Sequence, residues 1–241
     1  MLKVVECYAP NISNFDFSGR AVQMLGSLPV KSLSMSCLHR SRILCYALTK
    51  LMSVVPNVEK LGISSLTEIV STPTVPGKFL RLKHLDMSLP KNKTFDYLSL
   101  VSFLDASPSL ETFILNIARI DLGHVSVVGD SAQLRQMPER RHDNLKEFSI
   151  IGFYSAKSLV ELTSHILETA PSLQCLELDT TYGLAFARCD VSRECYPYRP
   201  DEIMEARNAV LAIKTHIMGK VPPTVKLNVV QHCSRCLALV Q

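Results

Sequence analysis

Thiols are the side chains best placed to do chemistry in this sequence. Cys233-Ser234-Arg235-Cys236 has the spacing of a redox dithiol. That chemistry needs a helix N-terminus just after a strand, where the dipole lowers one thiol pKa. The motif follows a strand-like segment, but the sequence leaves no room for a helix behind it. A zinc site could add Cys189 and Cys195, with five, then 37, then two residues between successive ligands. Those intervals depart from the tight spacings of structural zinc. Cys7, Cys37, Cys45 and Cys175 lie in apolar stretches, where a reduced cysteine acts as a small buried hydrophobe. The seven histidines form no pairing with a nucleophile, and neither GxSxG nor HExxH occurs. The nine glycines are scattered, without a GxGxxG or GxxxxGKS turn to cradle phosphate, which weighs against a doubly wound α/β enzyme. The expectation is therefore no catalysis, no metal and no cofactor, with function residing in surface residues held by a scaffold.

Composition narrows the partners of such a surface. With 47% hydrophobic and 20% charged residues the chain is too apolar to be disordered. A net charge of +4, no Lys/Arg run beyond two residues and no interleaved aromatics give no footprint for nucleic acid. No stretch nears the roughly 20 apolar residues that span a bilayer. Glu6 and Pro10 interrupt any apolar run at the start, so no signal peptide is expected. These features predict a cytoplasmic or nuclear protein with thiols rather than disulfides. Asn11-Ile12-Ser13 and Asn92-Lys93-Thr94 are then chance matches to a glycosylation triplet.

The scaffold shows itself as repetition. Pro56-Asn57-Val58-Glu59-Lys60-Leu61-Gly62-Ile63 aligns with Pro108-Ser109-Leu110-Glu111-Thr112-Phe113-Ile114-Leu115 and with Pro171-Ser172-Leu173-Gln174-Cys175-Leu176-Glu177-Leu178. Pro10-Asn11-Ile12-Ser13-Asn14-Phe15-Asp16-Phe17 fits apart from Ser13. Without the proline, the core pattern recurs as Val30/Leu33/Met35, Leu82/Leu85/Met87 and Leu145/Phe148/Ile150, and weakly as Thr224/Leu227/Val229. First positions at 12, 30, 58, 82, 110, 145 and 173 are separated by 18, 28, 24, 28, 35 and 28 residues. Most intervals match the leucine-rich period of about 20–29 residues.

The last two apolar positions of each unit alternate with polar ones, so they share one side of a sheet. Between strands, Ile43, Leu44, Ala47, Leu48, Leu51, Met52 and Val55 recur at helical spacing, as do Leu159, Leu162, Thr163, Ile166 and Ala170. The proline then stops each helix and starts the next strand. A single unit buries too few side chains to offset its own ordering, so the units must stack. The fold class predicted is α/β: a leucine-rich-repeat solenoid of seven to eight units over residues 1–241, strands on the concave face and helices on the convex. A helix from Asp201 as N-cap toward Gly219, with Ile203, Ala206, Val210, Ile213 and Ile217 inward, caps the C-terminal end together with a strand near 201–230. The concave face then carries Lys60, His84, Asp86, Thr112, Ile114, Asn116, Glu147, Ser149, Glu177 and Asp179 as candidate partner-binding residues. The longest interval, 123–144, with Arg135, Arg140, Arg141 and His142, reads as a solvated surface excursion.

Several stretches resemble the plant F-box/leucine-rich-repeat proteins, including the FBD-associated group. They are Tyr97-Leu98-Ser99-Leu100-Val101-Ser102-Phe103-Leu104-Asp105-Ala106-Ser107-Pro108-Ser109-Leu110-Glu111, Leu134-Arg135-Gln136-Met137-Pro138, Asn144-Leu145-Lys146 and Val225-Lys226-Leu227-Asn228-Val229. The resemblance implies a protein-interaction scaffold like the substrate-recognition region of a ubiquitin-ligase adaptor, with a protein as partner. No F-box-like helical segment precedes Ile12, Phe15 and Phe17, so contact with the ligase adaptor is not expected. The alternative is a truncated or degenerate member with a structural role, whose first unit lacks a cap.

Overall fold

The structure is a computed structural model that describes residues 4–6, 12–19, 23–25, 28–37, 42–65, 77–90, 95–118, 126–129, 133–138, 140–181 and 199–235. Its centre is one open sheet of eight strands: β2 (Asn14–Gly19), β4 (Ser32–Cys37), β5 (Lys60–Ser65), β6 (His84–Pro90), β7 (Thr112–Ala118), β8 (Glu147–Ile151), β9 (Cys175–Asp179) and β10 (Lys226–Val230). They are paired in chain order, every pair parallel. The register is that of the repeat. Phe15, Leu33, Leu61, Leu85, Phe113, Phe148, Leu176 and Leu227 form one row, and Phe17, Met35, Ile63, Met87, Leu115, Ile150, Leu178 and Val229 the next. Both rows face the core, and from β4 to β9 every member is buried. At the two ends Phe15, Phe17, Leu227 and Val229 are half-buried. A separate parallel pair, β1 (Val4–Glu6) with β3 (Gln23–Leu25), was not anticipated from the sequence.

Helices cover the apolar side of the sheet. The 43–54 segment is α1 (Ile43–Tyr46), a π-helical stretch Ala47–Leu51, and α2 (Met52–Val54). A 3-10 turn Tyr97–Leu100 leads into α3 (Val101–Ala106), and α4 (Lys157–Thr169) is the longest helix of the middle units. α5 (Pro200–Ala212) continues through Ile213–Ile217 and Met218–Lys220, and packs against α4 through this continuation. Its start differs from expectation: Arg199 stands at the cap and Pro200 in the first turn, where its missing N–H is no loss. The Arg199 N–H donates to the Glu202 carboxylate at 2.8 Å, and Asp201 sits inside the first turn, facing the positive end of the helix dipole.

The repeated proline has a specific task. Backbone bonds Val58 N to Val55 O, Leu110 N to Ser107 O and Leu173 N to Ala170 O, 3.1–3.2 Å, close a turn with Pro56, Pro108 or Pro171 at its second position. Proline's fixed φ suits that place. The same turn closes from His142 to Leu145 and from Pro222 to Val225. In the last unit Thr224 is therefore exposed and Val225 takes the buried place, a one-residue correction to the sequence alignment.

Residues 133–138 and 140–144 of the 123–144 excursion are mostly exposed, as expected of a solvated segment, but the segment is tied to the helices at two points. Its Arg135 guanidinium reaches Asp96 at 2.8 Å and Glu161 at 2.9 Å, and the Arg135 backbone N–H donates to the second Glu161 oxygen at 2.8 Å. Glu161 lies on α4 with its side chain 0% exposed. A carboxylate so placed needs charge and donors, and the strap supplies both. His142 is buried too, its N–H on Thr169 O at 2.8 Å and its ring edge-on to His165, centroids 6.0 Å apart. Arg140 and Arg141 do remain exposed, paired with Asp105 and Asp143.

Candidate binding face

Period two places the other side chains of each strand on the face turned away from the helices. Across neighbouring strands they form three rows. The first runs Asn14, Ser32, Lys60, His84, Thr112, Glu147, Cys175, Lys226, and the second Asp16, Ser34, Gly62, Asp86, Ile114, Ser149, Glu177, Asn228. The third runs Ser18, Ser36, Ser64, Ser88, Asn116, Ile151, Asp179, Val230. Nine of the ten candidate residues, Lys60, His84, Asp86, Thr112, Ile114, Asn116, Glu147, Ser149 and Glu177, are exposed or half-buried there.

Asp179 is the exception. It holds an open-face register position but is 0% exposed. Its carboxylate accepts from the Thr181 N–H at 2.7 Å and the Thr181 hydroxyl at 2.6 Å, so the turn after β9 folds over it. Its task is structural, as an Asx-type brace. Cys175, read as a core cysteine, is half-buried at the head of β9 on the open face, and Cys45 is half-buried, while Cys37 is buried. No disulfide joins the described cysteines. Cys7, Cys189, Cys195 and Cys236 lie outside the described residues. Among the described residues no group of three His, Cys, Asp or Glu is close enough to hold a metal.

The open face divides into two halves. From β2 to β6 its second and third rows are Asp16, Ser34, Gly62, Asp86 and Ser18, Ser36, Ser64, Ser88, small and hydroxyl-rich. From β7 onward come Ile114, Ile151 and Val230 among Glu147, Glu177 and Asn228. Two cross-strand bonds fix side chains in place: Asn116 to Asp86 and Asn228 to Glu177, each 2.8 Å. Asp86 is half desolvated, which raises its pKa above the ordinary range, the Asn116 bond opposing.

One rim of the face was missed by the sequence reading. The residues just ahead of the strands are Lys31, Glu59, Lys83, Glu111 and Lys146, alternating in sign from one unit to the next, and then the neutral Gln174. Lys146 reaches Glu111 at 2.7 Å and Lys31 reaches Glu59 at 3.8 Å. The Lys146 bond is the main reason the Glu111 carboxyl titrates below its usual range. Their backbones carry the strands forward, each N–H on the carbonyl of the unit before. The signal was legible in the column, once the units were read down rather than along.

Parallel strands in chain order, a recurring proline turn and helices on one side define a leucine-rich-repeat domain. The chain belongs to the At1g61320/AtMIF1 leucine-rich-repeat domain family, whose model matches residues 1–234. No curated protein and no solved structure matches it. Such a domain is a protein-interaction scaffold, and no helix among the described residues is long and apolar enough to cross a membrane.

Proposed function

We propose that the chain is a solenoid whose 241 residues act as one recognition module, selecting a protein partner on a concave face formed by the open side of the sheet. Lys60, His84, Asp86, Thr112, Ile114, Asn116, Glu147, Ser149 and Glu177 make the contacts. The observation that carries this reading is their common register: nine mixed polar and aliphatic side chains on five adjacent strands of one sheet, exposed or half-buried on the side away from the described helices. Loops vary, whereas a sheet holds its side chains to fixed spacings, which suits selection of one partner. Mixed charge with one aliphatic, Ile114, suits a protein rather than a phosphate backbone. The resemblance to plant F-box/leucine-rich-repeat proteins supports the further reading that this is recognition of a ubiquitination substrate in the cytoplasm or nucleus.

The test is site-specific photocrosslinking in plant extract. A photoreactive residue at Asp86 or Glu147 is expected to capture the same protein, while one at Ser53 on α2 captures nothing in common with them. Capture at Ser53 of the same protein, or no common capture at Asp86 and Glu147, would reject the face assignment. Absence of any ubiquitin-ligase target among proteins captured at the open face would reject the ligase reading only.

A further inference from the structure

We propose that the part of the open face centred on Ser149 receives a lysine or arginine side chain of the partner, carried two residues from an aliphatic one in an extended segment. The proposal rests on the reading of this face as the recognition surface and says what chemistry it selects. Ser149 stands between Ile114 on β7 and Glu177 on β9 in one row, with Glu147 and Ile151 two residues to either side on its own strand. Glu147 is exposed, and its carboxylate makes no hydrogen bond or ion pair among the described residues. Lys146 beside it is turned to Glu111 at 2.7 Å. The first open-face cation on that side, Lys226, lies two strands away, roughly 10 Å at the usual strand spacing.

Ile114 and Ile151 are half-buried and give a low apolar floor, Ile114 diagonally beside that charge and Ile151 four residues along the strand from it. Nowhere else among the described open-face residues does an aliphatic side chain adjoin a carboxylate free of a bonding partner: Asp86 is held by Asn116. An acidic or neutral polar segment would leave Glu147 unanswered and bring no apolar surface to the isoleucines. A basic side chain does both, because its methylene stem lies on apolar surface while its head stays at the carboxylate.

The dimensions set the segment's pattern. From Ile151 to Glu147 is four residues of strand, about 13 Å. In an extended partner, residues two apart are about 6.7 Å from each other on one side, and a lysine or arginine stem adds about 6 Å. An aliphatic residue over Ile151 therefore brings the head of a basic residue two positions on to Glu147, its stem crossing Ser149 beside Ile114.

The probes are two peptides, acetyl-Gly-Ser-Leu-Ser-Arg-Ser-Gly-amide and its counterpart with Glu in place of Arg, titrated into the full chain by amide NMR. The Arg peptide is expected to shift amides of β7, β8 and β9, with affinity reduced at least tenfold by Glu147→Lys and several-fold by Glu147→Gln. The Glu peptide is expected to bind at least tenfold more weakly. Equal binding of the two, binding of either on β2 to β6, or no binding of the Arg peptide overturns the proposal while leaving the face as a recognition surface. Shifts confined to α4 and α5 would overturn both.

Discussion

Arg135 holds two carboxylates at once, and only one of them is buried. Asp96 is partly exposed and contributes little beyond position, since surface ion pairs are worth about 0–1 kcal/mol. Glu161 is shut in, so removing its partner leaves a buried charge. Arg135 is itself half exposed, and its backbone N–H stays on Glu161. Arg135→Ala is therefore expected to cost about 1–3 kcal/mol in chemical denaturation, and much less in a Glu161→Leu background where no charge remains. Glu147→Ala on the open face should change stability by under about 0.5 kcal/mol, as a solvated polar position. Leu176→Ala, at 0% exposure, should cost roughly 2–5 kcal/mol. If the surface change proved the more damaging, the two faces would be assigned the wrong way round. Period two made this division legible in the sequence for nine of ten site residues. Asp179 obeyed the same period and was still misread, because the Thr180–Thr181 turn that buries it leaves no mark in a strand pattern.

Among the elements, the strap is the one that sequence periodicity could not supply. Its arginines are exposed, as arginines in an irregular segment usually are, but their partners Asp96, Asp105 and Glu161 stand 26–39 residues away, beyond any local spacing. His142 occupies the turn position that Val55, Ser107 and Ala170 hold in other units, so a titratable ring is buried where an apolar or small residue would do. Burial lowers the pKa of His142 and of His165; Asp105 opposes this in both, with Asp143 on the first and Glu168 on the second. Their folded values thus lie below the unfolded value of about 6.5. The unfolded chain binds more protons below that pH, so stability is complete above it and is lost as pH falls toward the folded values. The urea midpoint is expected to drop between about pH 7.5 and about pH 5.5, and His142→Val should flatten that drop. An unchanged slope in the variant would remove His142 from the account. Gly152, just after β8, has φ +80° and its missing Cβ would lie 2.8 Å from Ile117 O. Gly152→Ala is accordingly expected to destabilise by about 1–3 kcal/mol, through both backbone strain and that contact.

At the scale of the molecule, each unit's strand is bonded only to the unit before and the unit after, so stability is shared between neighbours. β2 has β4 on one side, and its Phe15 and Phe17 are half-buried where the inner strands bury their equivalents. Native-state hydrogen exchange should therefore be faster in β2 than in β6 or β7. The stacking order and the parallel sense agree with the repeat taken together with its strand and helix periods, because a strand that returns through a helix meets its neighbour in parallel. The β1–β3 pair left no such sign in the sequence, since three-residue strands carry too few apolar positions to show a period.

The claim that the open face recognises a protein is tested most directly by comparing two triple variants in capture of the crosslinked partner. One replaces Lys60, Asp86 and Glu147 with Ala, the other Thr49, Ser53 and Asn208 on the helical side. The account expects the first to lose at least tenfold in affinity with its thermal midpoint unchanged, and the second to bind as the parent does. Full binding by the open-face variant, with loss in the helical-side variant, would contradict it.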